Sequence, residues 1–262
     1  LISAPDYWND QKLWLEESTE DFVELLQAPT DGVSFSMDYN NIYTQQGGFV
    51  CRQITSDDAR EITATFSLWR DLRSELWLPI PSFDVDDYGS YNHRNETLDN
   101  LVFYLASHGH RNSTVLDFTQ AFGAIDGYFA LMRKFQKHLG YSGETNIKFK
   151  LSNAWRRVPV LNLTTSELGW EKYGVPIILG DTVASSSRGS RDAFHPINLH
   201  ENSNGDHDSF LLSVPIFTQI LMSIGFGVGS FTGFSELVNK TVMASYNKAT
   251  KKGFSDISNA SD

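Results

Sequence analysis

Val33, Phe35, Met37 and Tyr39 alternate with Ser34, Ser36 and Asp38, and Ile62, Ala64, Phe66 and Leu68 alternate with Thr63, Thr65 and Ser67. A period of two places one set of side chains in a core and the other against solvent, which predicts half-buried strands. Gly48–Ile54 and Glu75–Ile80 complete a four-strand set. The short Asp57-Asp58 connection is too brief for the crossover that parallel neighbours need, so the reading is an antiparallel meander over about 33–80. Few folds accommodate such a block other than a sheet with something packed on it.

Helical periodicity supplies that something. Leu15, Phe22 and Leu26 form one stripe within residues 10–27, with Glu16, Glu17, Glu20 and Glu24 on the other faces. Pro29 and Asp31-Gly32 stop this helix. Further helices are predicted around Leu98, Leu101, Val102 and Leu105, and from Ile125 to Leu139 with Gly140 as terminator. Between sheet and helices, 82–94 carries Asp84, Asp86, Asp87, Gly89 and Asn92 and reads as a long polar loop. Ile147, Phe149 and Leu151 alternate with lysines and are expected to pair with 158–163. A small helix near 166–173 and a short strand at 175–179 follow, then a Ser/Asn/Gly-rich loop over 180–205.

The fold class is therefore α+β: an N-terminal helix and antiparallel β-meander, followed by a helix-rich region with a few further strands. With 262 residues and 40% hydrophobic content, the chain can bury one large core, expected as a single domain with two subregions at about 1–85 and 95–262. The start at Leu1 instead of Met is expected of a cleaved chain, of a chosen boundary or of a piece of a longer protein.

Charge narrows the partners. Residues 1–100 hold 19 Asp+Glu against 6 Lys+Arg, and the whole chain has a net charge of −11. Phosphate backbones need clustered cations, so nucleic acid is not expected as the main partner. The one basic run is Arg133, Lys134, Lys137, Lys148, Lys150, Arg156 and Arg157, with Trp155 beside the two arginines. A Trp next to guanidinium groups can stack on a ring or receive an acidic partner, which marks Trp155 and Arg156 as binding candidates. Trp69 and Trp77 are two more, because each falls opposite the Ile/Leu face of its strand. Ser185-Ser186-Ser187-Arg188-Gly189-Ser190-Arg191 offers hydroxyls and guanidiniums for an anion, through Arg188 and Arg191.

Imidazoles with carboxylates are metal ligands, and His200, His207 and Asp208 cluster within nine residues. His108 and His110 flank Gly109. Neither set has the H-E-x-x-H order, since Asn204 stands where the second His belongs. The His108-Gly109-His110 run also suits a helix end, where Gly terminates and imidazole faces the carbonyls. No P-loop or G-x-S-x-G order occurs, and Cys51 is expected to be an inert buried thiol.

Between Asp208 and Glu236 no residue is charged, yet Pro215, four glycines and several hydroxyls dilute the stretch. It reads as a buried helix at about 213–224 and not as a membrane span. One cysteine points to a reducing, cytoplasmic compartment, while sequons at Asn95, Asn112, Asn162, Asn239 and Asn259 keep secretion open. The leading expectation is a noncatalytic recognition or regulatory module, a sensor or accessory part of an intracellular protein, with a protein or small-molecule ligand and room for homo-oligomers. The alternative is a metal-dependent hydrolase, which would need a divalent metal on the histidines. A weaker alternative is a membrane-active protein using Val214–Phe234.

Overall fold

The computed structural model describes residues 2–5, 18–27, 42–45, 47–52, 65–92, 94–119, 121–184, 197–198, 216–217 and 219–226. They contain both helices and antiparallel sheets, and the chain divides into two compact units. The first comprises Leu1–Pro79, Ala124–Phe149 and Ser185–Ile216; the second comprises Ile80–Gly123, Lys150–Ala184 and Phe217–Asp262.

The first unit is built on a seven-stranded sheet of β1 (Ile2–Pro5), β2 (Ile42–Gln45), β3 (Gly48–Arg52), β4 (Thr65–Trp69), β5 (Ser74–Trp77), β8 (Glu144–Lys148) and β12 (Ile197–Asn198), in the order β12-β8-β1-β5-β4-β3-β2. All its pairings are antiparallel, and β2 to β5 follow one another as hairpins, as a meander requires. Val33–Tyr39, Ile62, Ala64 and the Asp57-Asp58 connection lie outside the described residues. Helix α1 covers Thr19–Gln27, and the earlier half of the expected 10–27 helix lies outside them as well. The sheet goes beyond the meander: β1 joins β5 on one side and β8 on the other. No pattern in four residues, Ile-Ser-Ala-Pro, signals a strand.

Register sorts the side chains into two faces. Ser3, Phe49, Cys51, Phe66, Leu68, Ser74, Leu76 and Ile147 share the inner face and are buried. Helix α3 (Ala121–His138) belongs here from Ala124 onward, with Ile125, Tyr128, Phe129, Met132 and Phe135 buried. Tyr128 sets an edge against Phe66, ring centroids 6.0 Å apart. Its hydroxyl closes a ring of three with Ser3 and Ser74: Tyr128 Oη to Ser3 Oγ 2.9 Å, Tyr128 Oη to Ser74 Oγ 2.6 Å, and Ser3 Oγ to Ser74 Oγ 2.7 Å. Three hydroxyls supply three donors and three acceptors, so each is satisfied without water. The helix ends as expected: Gly140 has φ +67° and Tyr141 N–H donates to the Gln136 carbonyl, a Schellman arrangement.

The β4–β5 hairpin turns through Arg70, Asp71 and Leu72, closed by Trp69 N–H donating to the Arg73 carbonyl. Its last residue sits at φ +62°, where glycine is usual, but here it is Leu72, fully buried. Burial of an isobutyl group outweighs the backbone strain of roughly 1–2 kcal/mol.

The second unit holds a three-stranded sheet of β10 (Val158–Val160), β7 (Thr114–Asp117) and β6 (Ser82–Asp84), and a two-stranded sheet of β9 (Lys150–Ser152) and β11 (Thr182–Ala184). Helix α2 (Glu96–Ser107) begins with Asn95 Oδ1 accepting from Leu98 N–H at 3.0 Å, and α4 (Trp170–Tyr173) is a single turn. Leu98, Leu101, Leu105, Val115, Val158, Val160, Trp170, Ile178, Phe217, Leu221 and Ile224 fill its core. Residues 216–217 and 219–223 are helical, in agreement with the buried helix expected there.

Four expectations need correction. The polar loop at 82–94 contains β6 and a 3-10 turn at Tyr88–Ser90, because Phe83, Val85 and Tyr88 are buried among its aspartates. The 158–163 segment does not pair with 147–151. Instead β10 lies parallel to β7, and Phe149 separates β8 from β9, which have different partners. Residues 175–179 form no strand; among the described residues Ile178 exchanges backbone bonds with Arg156 and Arg157. Within 180–205, read as loop, β11 and β12 are short strands.

Candidate functional site

On the outer face of the large sheet the register aligns Lys148, Ile2, Glu75, Ser67, Val50 and Tyr43 in one row across six strands. Ser67 and Val50 are buried in its middle, while Ile2 and Tyr43 are exposed. Trp77 pairs with Thr65, and Trp69 lies four residues further along β4, so the two tryptophans share this face roughly 13 Å apart. Trp77 is 64% exposed. Trp69 is half-buried and stands in the wall of a cavity of about 160 Å³, with Ile2, Ser3, Ala4, Arg73, Ser74 and Glu75. The Arg73 guanidinium lies 5.9 Å from the Trp69 ring centroid and 2.7 Å from an Asp71 oxygen, a cation shared between a ring and a carboxylate.

Gly48 makes this geometry possible. It pairs with Trp69, and a Cβ there would press on the Leu68 carbonyl oxygen and stand 2.9 Å from Trp69 Cα. Cys51, on the opposite face, is fully buried, and desolvation pushes its thiol up to about 12, so it is no nucleophile at neutral pH.

In the second unit, Trp155 and Arg156 stand together. The turn Ala154–Arg157 is closed by Arg157 N–H donating to the Ala154 carbonyl at 3.1 Å, with Trp155 at its exposed tip. The Arg156 side chain stacks back over the Trp155 ring at 5.6 Å.

His108 and His110 serve a helix end. His108 is the residue after α2; its Nδ1 donates to the Tyr104 carbonyl at 2.9 Å, the tautomer that a carbonyl partner assigns. The imidazole stacks on the Tyr104 ring at 3.9 Å. Gly109 takes φ +87° and His110 N–H donates to the Leu105 carbonyl, completing the cap. His200, His207, Asp208, Arg188 and Arg191 lie outside the described residues. Among the described residues no group of three or more His, Cys, Asp or Glu side chains could hold a metal. The buried carboxylate of Asp117 is satisfied by Tyr91 Oη at 3.1 Å and Thr119 N–H at 2.9 Å.

Of the basic run, Arg133 and Lys134 are half-buried, and burial draws the Lys134 ammonium below its usual pKa. Of the uncharged segment, Phe217, Leu221 and Ile224 are buried in the second unit, and no helix among the described residues is long and apolar enough to cross a membrane.

Sequence reasoning found the four tryptophan and arginine positions on these surfaces but missed Ile2, Arg73, Ile177 and Leu179. The last two are exposed in a segment that was expected as a short strand and forms none. No family model, no curated protein and no solved structure matches this chain.

Proposed function

We propose that this chain is a noncatalytic recognition module, a sensor or accessory part of an intracellular protein, that takes a small apolar or aromatic ligand group on the outer face of its large sheet. The observation that carries the reading is the cavity of about 160 Å³ lined by Trp69, Ile2, Ala4, Arg73 and Glu75 together with Ser3 and Ser74. An indole wall and aliphatic neighbours bind a ring or branched side chain through dispersion and desolvation, and the Arg73 guanidinium, paired with Asp71, offers its remaining N–H groups to a polar group of the ligand. Trp77 and Tyr43, exposed on the same face, extend the surface for a larger partner. The inner-face hydroxyl ring fastens β1 to β5, the two strands that supply most of the cavity wall.

The test is saturation-transfer NMR with indole and phenyl carboxylic acids against wild type, Trp69→Ala and Trp77→Ala. Saturable binding lost in Trp69→Ala, with the fold intact by circular dichroism, supports the reading. Absence of binding, with a zinc-dependent hydrolysis abolished by His200→Ala or His207→Ala, would replace it with the hydrolase alternative.

A further inference from the structure

The Trp155-Arg156 turn is unused by the sheet-face reading, and its geometry calls for an explanation. Arg156 has φ +56° at the third position of a four-residue turn, where Gly or Asn is usual. Asn153, just before the turn, also has positive φ, +57°. The strained backbone is held by Arg156 N–H donating to the Ile178 carbonyl at 2.9 Å and Ile178 N–H donating to the Arg157 carbonyl at 3.0 Å. Ala154 and Ile178 are buried as the anchors beneath. What the strain achieves is display: Trp155 is 52% exposed at the tip, and Leu179 beside the bridge is 77% exposed, with Ile177 exposed on its other side. A non-glycine residue kept at positive φ by surrounding bonds, next to an exposed Trp, is the kind of outlier from which function is inferred.

Charge says what fits there. Within the second unit the stretch 150–166 carries Lys150, Arg156 and Arg157 and no acid, and Asp181, whose carbonyl accepts from Ala154 N–H, is an exposed acid beside the turn. Lys150 and Arg156 are exposed and take part in none of the ion pairs among the described residues. We infer that the exposed surface of Trp155, Arg156, Ile177 and Leu179 docks an acidic protein segment carrying an apolar side chain. The apolar group lies against Trp155 and Leu179, and the carboxylates meet Arg156 and Lys150. A phosphate polymer is disfavoured because its affinity rests on many clustered cations, whereas Lys150 and Arg156 supply two.

The experiment is fluorescence anisotropy of a fluorescein-labelled peptide rich in Glu and Asp and carrying Leu and Phe, titrated with the full chain. Controls are the same peptide with Lys in place of the acids, the same peptide with Ser in place of Leu and Phe, and labelled single-stranded DNA. Saturable binding of the first peptide alone is expected, weakened at least about tenfold by Trp155→Ser and by Arg156→Gly. Arg156→Gly separates binding from folding: glycine accepts the positive φ, so its denaturation midpoint should match wild type while affinity falls. Should that variant unfold, Trp155→Ser, at an exposed tip, decides. No saturable binding by about 1 mM protein, equal binding by the variants, preference for DNA, or a dimer abolished by Trp155→Ser would each overturn the proposal.

Discussion

Removing one oxygen atom, in Tyr128→Phe, should cost far more than its size suggests. The phenol is fully buried and accepts or donates at 2.6 Å and 2.9 Å to two serines that are themselves fully buried. Without it, the remaining Ser3–Ser74 bond uses one hydroxyl proton, and the other serine's proton loses the acceptor it had in the ring. Two lost bonds at about 1 kcal/mol each, plus the desolvation of an orphaned donor, give about 2–3 kcal/mol. That corresponds to a fall in Tm of roughly 5–10 °C for a protein of this size. The triple variant Tyr128→Phe with Ser3→Ala and Ser74→Ala should lie closer to wild type than Tyr128→Phe alone, because no buried donor is then stranded. Urea denaturation followed by tryptophan fluorescence measures both. A loss below about 0.5 kcal/mol for Tyr128→Phe, or a triple variant markedly worse than the single one, would refute the closed ring as a fastening of β1 to β5.

Leu72→Ala should destabilise by about 2–4 kcal/mol in the same assay, since it removes a fully buried side chain while keeping the strained φ of +62°. Gly48→Ala should cost about 1–3 kcal/mol and broaden the Trp69 signal in NMR, because its Cβ collides with backbone of β4. Asn95→Ala should lower stability by about 1 kcal/mol by deleting the cap of α2, read as faster amide exchange at Leu98. Cys51 should resist iodoacetamide at pH 8 in the native state. Its thiol is raised from 9.0 to about 12, so the folded protein holds a proton that the unfolded chain releases. Stability is therefore undiminished below pH 9 and declines as pH rises toward 12, by up to about 1.4 kcal/mol per pH unit from this group. Denaturation midpoints at pH 8 and pH 10 for wild type and Cys51→Ala check this: equal decline in both would assign it to other groups.

What the sequence made legible was local and periodic. Leu98, Leu101 and Leu105 announced α2, and the glycine at 140 announced the end of α3, because helix faces and caps are written within a few residues. Alternation around Phe66 and Leu68 located β4, and the tryptophans opposite them marked an outer face that is exposed at Trp77. Pairings over long separations were not legible. Ile2–Pro5 has no signature beyond its length, and its partners lie more than 70 residues away. The parallel pairing of β10 with β7 likewise depends on a distant strand, whereas adjacency suggested the wrong neighbour. The turn at Arg156 could not be anticipated, since nothing in Trp-Arg-Arg asks for a left-handed residue; hydrogen bonds to Ile178 impose it. The exposure of Ile177 and Leu179 was not legible either: in the apolar run 175–179 nothing distinguishes them from Ile178, which is buried between them.

The central claim is that the outer face of the large sheet recognises a ligand at Trp69. The most direct measurement is the set of indole N–H signals of the six tryptophans in an ¹⁵N-labelled sample, assigned by single Trp→Phe variants and titrated with indole carboxylic acids. The account predicts a saturable shift of the Trp69 signal, a smaller one at Trp77, and none at Trp155 or the buried Trp170. Saturable binding that moves other tryptophans and leaves Trp69 still would contradict it, as would no movement at any of the six.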